Sequence, residues 1–199
     1  PVLEDSVEFF RSREVVLRDH TVENVTLQML AAISVRVDSC RLSRISMPGT
    51  NIPSLRLKDV QVAESDLANV EARGLTVVRA EFLNCRMTGF RAIEADCQDL
   101  LIQEGDQRYA QFRFGRFQSA EFRFCNFEDA DFQGSDLRGA IFKDCNLRNV
   151  EMTGVKLEGA NLRGCQIEGL KVNAGDVYGA LVDPAQAMTF AALLGIKIE

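Results

Sequence analysis

The sequence predicts an all-β solenoid, in which short extended segments stack into coils, and two observations lead to this fold. The first is a period of five residues, clearest between Ala120 and Gly164, where the chain reads AEFRF CNFED ADFQG SDLRG AIFKD CNLRN VEMTG VKLEG ANLRG. The second is a frame that continues without insertion or deletion from Leu17 to Val182. Because a period of five matches neither an α-helix nor a single strand, it is a repeat period.

Each five-residue block combines one large and one small apolar position with a turn. The third residue is large and apolar in nearly every block, and the first is small in most blocks of 120–164. Asp and Asn recur in second place and Gly in fifth place, where they supply turn chemistry. One block cannot bury its apolar side alone, whereas stacked coils bury a continuous core. The predicted core ladder consists of Phe112, Phe117, Phe122, Phe127, Phe132, Leu137, Phe142 and Leu147.

This pattern resembles the pentapeptide-repeat family, whose motif is written A-D/N-L-x-x. The best matches are Ala130-Asp131-Phe132, Ser135-Asp136-Leu137, Cys145-Asn146-Leu147 and Ala160-Asn161-Leu162. The resemblance implies a right-handed quadrilateral parallel β-helix with four blocks in each coil, followed here by a short C-terminal α-helix. The chain then divides into an N-terminal cap at residues 1–14, the β-helix at 15–183 and a C-terminal cap or dimer segment at 184–199.

The N-terminal half is a degenerate version of the repeat. Phe9 and Phe10 are expected to cover the open end of the first coil, since uncovered end coils invite edge-to-edge association. Ala72 and Ala92 occupy the large inward position and are expected to offset oversized residues at the small one. Those oversized residues are Leu30, Leu55, Leu75, Phe90 and Leu100.

Residues 103–111 are the weak point of the pattern. Gln107 occupies a large inward position and Gly105 the small one. Either one coil is distorted here, or the segment leaves the rod as a protruding loop, which would matter because binding residues concentrate on loops carried by rigid scaffolds. The candidate loop comprises Gly105, Asp106, Gln107, Arg108 and Tyr109.

The pattern ends at residue 183, where Asp183 is a plausible N-cap and Pro184 suits the first helical position. Gly195 can end this helix. We expect a stripe of Met188, Ala191 and Leu194 to lie on the final coil as a lid. Apolar residues on the other side would then be free for a homodimer contact, similar to the C-terminal pairing of several family members. The candidate dimer residues are Met188, Phe190, Leu193 and Leu194.

Composition bounds the remaining possibilities. The 199 residues are 46% hydrophobic without a long apolar run, so we expect no transmembrane segment or signal peptide. The net charge of −6 argues against direct nucleic-acid binding. Five of the six cysteines fall on the small inward position, and Cys97 falls on the large one. A metal or redox ladder is one interpretation, but the spacing favours small apolar residues in a dry core, and buried thiols fit a reducing cytoplasm.

The sequence contains no catalytic constellation. His20 is alone at an inward position, and there is no phosphate-binding Gly loop and no nucleophile elbow. We therefore predict a chain that is not an enzyme and has no catalytic residues, cofactor or metal. The leading hypothesis is a non-enzymatic protein-binding solenoid whose partner is unknown, and one alternative is a purely structural scaffold.

The family resemblance implies a further alternative, a DNA-mimicking binder of DNA gyrase or topoisomerase IV that gives quinolone protection. A DNA mimic needs a stripe of one charge sign, but acids and bases are intermixed on all four predicted faces. The most acidic face carries Asp66, Asp106, Glu128, Asp129 and Glu168. Outward apolar residues on another face indicate an interface, or are covered by loops or the cap. The candidate interface residues are Leu83, Leu101, Phe124, Ile141 and Leu181.

Overall fold

Strands one coil apart pair in parallel throughout the solenoid. The computed structural model describes residues 2–3, 13–27 and 33–197, so the expected packing of Phe9 and Phe10 lies outside the described residues. The elements are β1 Val2–Leu3, β2 Glu14–Arg18, β3 Thr21–Glu23, β4 Ser34–Asp38, β5 Arg41–Ser43, β6 Ser54–Ala63, β7 Thr76–Leu83, β8 Asp96–Gln103, β9 Arg116–Arg123, β10 Ile141–Lys143 and α1 Pro184–Leu193.

The register of these strands defines the coil. From β2 onward, paired residues are twenty positions apart, as in Leu57 with Val77 and Phe122 with Phe142. Beyond β10 the same spacing continues through single bridges, including Asn161 with Leu181. Twenty residues in blocks of five give four sides. The parallel β-solenoid with one short C-terminal helix predicted from the sequence is thus confirmed.

The bends explain which residues recur in the repeat. The fifth residue of successive blocks takes a positive φ, for example 57° at Asn149 and 69° at Gly134. L-residues with a side chain rarely adopt this conformation, whereas Gly, Asn and Asp tolerate it. The turn chemistry seen in the sequence is therefore a backbone requirement of the corner.

The core is a column of inward side chains. All eight residues of the predicted core ladder are buried, and Phe127 has no exposed surface. Rings stack from coil to coil, with 4.6 Å between the ring centroids of Phe122 and Phe142. Rings on adjacent sides meet edge to face, as Phe122 and Phe127 do at 5.4 Å. These are the two geometries that aromatic pairs prefer.

Residues 103–111 stay in the coil, so of the two alternatives that the sequence leaves open, the protruding loop is excluded. Asp106 bridges Arg86 and Asn126 in the neighbouring coils, which continues the parallel ladder through the segment. Gln107 is fully buried, and its amide has no hydrogen-bond partner among the described residues. The Gln107 side chain fits because residue 105 is Gly, since a Cβ at that position would overlap Gln107 Nε2. The small residue at one position thus accommodates the polar residue at the other.

The cysteines are all free and buried. Cys125, Cys145 and Cys165 occupy the same place in successive coils, and the Sγ of Cys125 lies 3.3 Å from the carbonyl oxygen of Ile102. Burial raises the pKa of Cys97 to about 12, so its thiol stays protonated at neutral pH. No group of three or more His, Cys, Asp or Glu in the described chain is arranged to hold a metal ion. The described part also has no helix long and apolar enough to cross a membrane.

Helix α1 begins with the capping box that its sequence allows. The Asp183 carboxylate accepts from the Gln186 backbone N–H at 2.9 Å, and the Gln186 side chain accepts from the Asp183 N–H at 3.0 Å. Pro184 opens the helix, and Gly195 follows its C-cap with a φ of 79°. The predicted N-cap, the first helical position and the Gly after the end of the helix are therefore in place.

The helix covers the last coil with a different side from the one expected. Gln186 and Phe190 are buried, whereas Met188 is exposed. Gln186 Nε2 donates to the carbonyl oxygens of Leu162 and Cys165, at 2.6 and 2.8 Å. The Leu162 carbonyl oxygen also accepts from the Cys165 N–H, whereas the Gln186 amide is the donor that the described residues provide for the Cys165 carbonyl oxygen. These two bonds fix which side of the helix faces the rod.

The predicted inward register gives a stability test. Phe127→Asp should lower the free energy of unfolding by at least several kcal/mol, because it buries an unpaired charge. Glu128→Lys changes an outward, partly exposed side chain and should cost about 0.5 kcal/mol or less. Chemical denaturation of both variants measures the difference, and equal shifts would contradict the register.

Candidate functional site

The outward apolar residues predicted as an interface share a face but do not form a continuous surface. Leu101, Ile141 and Leu181 lie in one column, two coils apart from each other. Glu121 separates the first two, and Asn161 separates the last two. In this column every second residue is polar, so its apolar members do not pair with one another, and the candidate interface stays a prediction.

The other two members of that set behave differently from each other. Leu83 is half-buried, whereas the Phe124 side chain is 49% exposed. Phe124 belongs to a second set of exposed residues that the candidate interface did not include.

Three aromatic side chains project from one coil of the solenoid. Tyr109, Phe114 and Phe124 are 57%, 59% and 49% exposed, respectively. Each is the fifth residue of its block, so each stands at a different corner of the coil formed by residues 105–124. Ser119 occupies the fourth corner. We call Tyr109, Phe114 and Phe124 the aromatic collar.

The backbone of the aromatic collar is strained. Tyr109, Phe114 and Phe124 have φ values of 60°, 57° and 52°. A side chain at such a φ costs about 1–2 kcal/mol relative to ordinary conformations. Gly, Asn or Asp avoid much of this cost and stand at most other corners, while Ser, Arg and Glu hold the remaining ones at a similar φ. The collar therefore differs from other corners in the size and exposure of its side chains.

Neighbouring coils hold two of these rings on the surface. The Phe114 ring lies over Gly134, where a Cβ would come within 2.6 Å of the ring Cδ1. Gly134 therefore clears the space that the ring occupies. Lys143 Nζ lies 5.7 Å from the centroid of the Phe124 ring, within the range of a cation–π contact. The rings are thus partly ordered before any partner arrives.

Two arginines next to the aromatic collar form ion pairs with acids of their own coil. Arg108 Nη2 lies 2.8 Å from Asp106 Oδ2, and its hydrogen bonds lower the pKa of the Asp106 carboxyl. Arg123 Nε lies 2.6 Å from Glu121 Oε1 and lowers the pKa of Glu121 in the same way. Because these pairs cancel locally, the distinguishing property of this coil is exposed aromatic area.

Ion pairs also link successive coils along the rod. They join residues twenty positions apart at adjacent levels, so an acid in one coil meets a base in the next. Examples are Asp59 with Arg79, Asp66 with Arg86, and Glu71 with Arg91. Asp66 and Asp106, from the face predicted to be most acidic, are both paired with arginine. These ion pairs interrupt any stripe of unpaired acidic side chains along the rod.

Sequence reasoning found parts of the aromatic collar but not the collar itself. The sequence makes Tyr109 part of a candidate loop and Phe124 part of the candidate interface, and it indicates no role for Phe114. The signal was present in the repeat, because the fifth place of a block favours Gly, Asn and Asp. A bulky aromatic residue is unusual at this place, yet aromatic residues hold three of the four corners of the coil of residues 105–124, and Ser119 holds the fourth.

The strain can be measured at Phe114. Phe114→Asn should be more stable than Phe114→Ala by roughly 0.5–1 kcal/mol, because Asn tolerates a positive φ and Ala does not. Both variants lose the ring, so the comparison isolates the backbone term. Urea denaturation measures it, and equal stabilities would mean that the corner relaxes without strain.

Comparison with known proteins supports the repeat assignment. The family model for pentapeptide repeats matches residues 108–144 and 125–164, with 8 copies. No curated protein matches the chain.

Several solved structures resemble the chain at low identity. A trypsin-treated variant of QnrB1, a plasmid-mediated fluoroquinolone resistance protein, is 19% identical, with coverage of 93% of this chain and 90% of that chain and a TM-score of 0.38. HetL, a pentapeptide-repeat protein from Nostoc sp. strain PCC 7120 involved in heterocyst differentiation regulation, is 16% identical over 80% and 92% of the two chains, with a TM-score of 0.20.

Rfr23 from the cyanobacterium Cyanothece 51142 is 14% identical over 73% of this chain and 90% of that chain, with a TM-score of 0.20. The assignment itself rests on the family model, whose matched residues lie inside the solenoid. With that match, the resemblance predicted from the sequence is confirmed for residues 108–164, which fit the family model for pentapeptide repeats.

Proposed function

We propose that the chain is a non-enzymatic protein-binding solenoid and that the aromatic collar is the centre of its contact surface. The observation that carries this proposal is the exposure of three strained aromatic residues on one coil. Aromatic residues are enriched among those that dominate binding energy at protein interfaces. A fold that keeps them outside, at a conformational cost, supports a role in contact with another protein.

The geometry suits a partner that reaches around an edge of the rod. Tyr109 and Phe114 stand at the two ends of one side, which carries Gln111 and Arg113 between them. Arg113 Nε is 2.5 Å from Asp131 Oδ2 in the next coil, so this side offers paired charges between two rings. An apolar contact with a polar rim is the usual composition of such interfaces.

The DNA-mimicking alternative depends on a different property. It requires free acidic groups in a row, so that a gyrase or topoisomerase IV surface that binds DNA would accept the rod. The ion pairs between coils weaken that property, although the net charge of −6 is in its favour. A purely structural scaffold would need neither free acids nor exposed rings.

Cytoplasmic localisation is also part of this proposal. All six cysteines are free and buried. Free thiols of this kind are typical of compartments that keep cysteines reduced.

A pull-down experiment tests the role of the aromatic collar. The wild-type chain, the double variant Phe114→Asn/Phe124→Asn and the control Ser119→Asn are incubated with lysate of the source organism, and captured proteins are quantified. We expect one partner to bind the wild type and Ser119→Asn equally. The double variant should lose at least about tenfold in affinity, or 1.4 kcal/mol. Asn is used because it fits the corner backbone, so the fold is retained.

Other outcomes separate the alternatives. Equal capture by all three chains would exclude the aromatic collar as the contact. Supercoiling assays with purified DNA gyrase and topoisomerase IV, with and without a quinolone, test the second hypothesis directly. Inhibition or protection that persists in the double variant would favour DNA mimicry. Capture of no protein by any chain would favour the scaffold.

We also propose that two copies pair through the C-terminal segment. Phe190 is buried against its own rod and is unavailable, which removes one predicted dimer residue, and Leu194 is only half-buried. Met188, Leu193 and Ile196 remain exposed at this end. A short helix with apolar side chains facing solvent is stabilised when a second copy covers them.

Light scattering tests this pairing. The double variant Met188→Lys/Leu193→Lys should be monomeric at concentrations where the wild type is dimeric, because each protomer would place two charges in the apolar contact. Ala187→Lys is the matched control on another side of α1 and should remain dimeric. A wild-type chain that stays monomeric at high concentration would exclude the dimer.

A further inference from the structure

The core of the solenoid is not filled evenly along its length. A cavity of about 70 Å³ lies inside the N-terminal half. The next void along the axis, bordered by Phe90, Phe112 and Phe117, measures only about 10 Å³. The larger cavity is lined by apolar side chains that include Leu17, Val37, Leu57, Val62, Phe82 and Phe90.

The cavity follows from the residues at the large inward position. In the coil of residues 115–134, all four of these positions are Phe. In the coil of residues 55–74 they are Leu57, Val62, Leu67 and Ala72. The backbone ladder keeps the coil the same size in both places, so smaller side chains leave space on the axis. Oversized residues at the small position, such as Leu55 and Leu75, fill only part of it.

The chemistry of the lining excludes water as a stable occupant. Every lining residue that the structure describes is apolar, and an ordered water needs two to four polar partners. An apolar cavity of this kind stays dry, and one of about 150 Å³ binds benzene or xenon. The cavity here is smaller, and its lining extends from Leu17 to Phe90, across several coils. Its space is therefore narrow and directed along the axis.

We propose that the N-terminal half of the solenoid binds a small unbranched apolar molecule in this cavity. Dispersion contacts with the aliphatic walls would hold the guest, since atoms that border a void have no partner on one side. An unbranched guest suits a volume of about 70 Å³ that is spread along the axis, and a charged or hydrogen-bonding group would have no partner. The site is independent of the aromatic collar, which lies on the outside of a later coil.

Xenon is the probe that tests the site without a variant. A crystal of the full chain under xenon pressure should show a single strong density peak on the axis between Leu57 and Phe82. Because a ligand that binds only the folded state stabilises it, thermal unfolding under xenon should also shift upward. At a concentration of 100 times the dissociation constant, the folded-to-unfolded ratio rises about 100-fold. No peak and no shift would overturn the proposal.

A filling variant provides the matched test. Val62→Phe should place its ring on Phe82, as Phe122 stacks on Phe142 at 4.6 Å, and should abolish the xenon peak and the thermal shift. Leu162→Phe, in the same column of the filled half, should leave the xenon effect unchanged and lower the melting temperature by overpacking. Val37→Leu is a smaller filling change that should weaken the shift if Val62→Phe does not fold. A shift that persists in both filling variants would place xenon elsewhere and contradict the site.

Discussion

Backbone pairing between residues twenty positions apart is the constraint on which this structure depends. It sorts the chain into columns, so that each side chain meets the one twenty residues earlier and the one twenty residues later. Stacked Phe rings, the aligned cysteines and the ion pairs between coils are consequences of this single register. It also requires a positive φ at successive corners, which the chain meets with Gly, Asn or Asp at most places and with aromatic residues at three corners of one coil.

The backbone groups at each end of such a ladder have no further coil to pair with, and the structure shows how the C-terminal end is covered. The Gln186 amide hydrogen-bonds to carbonyl oxygens of the final coil, and the Asp176 carboxylate accepts from the Gly154 N–H at 2.9 Å. Asp183 accepts from the Gly164 N–H while it caps α1. Side chains thus take the place of the next coil, which prevents the open edge from pairing with another sheet.

The period of five was enough to predict the coil, the inward residues and the start of α1, because each depends on local pattern. Residues 103–111 were harder, because the amide of Gln107 is tolerated only through the space at Gly105. The side of α1 that packs on the rod could not be predicted from the sequence, since hydrogen bonds from Gln186 to distant carbonyl oxygens outweigh the apolar stripe. Phe114 was missed because apolar residues were counted by face, whereas its corner position is what makes it unusual.

The four-sided register has a consequence for how such a chain can change in length. Loss or gain of twenty residues would move everything downstream by one coil, about 4.8 Å along the axis, without rotation. Loss or gain of five would preserve the inward pattern but turn the downstream part by a quarter turn. The rings of Tyr109, Phe114 and Phe124 would then point in new directions relative to the coils before them. Insertions of five residues would therefore reorient a surface in fixed angular steps while the interior remains packed.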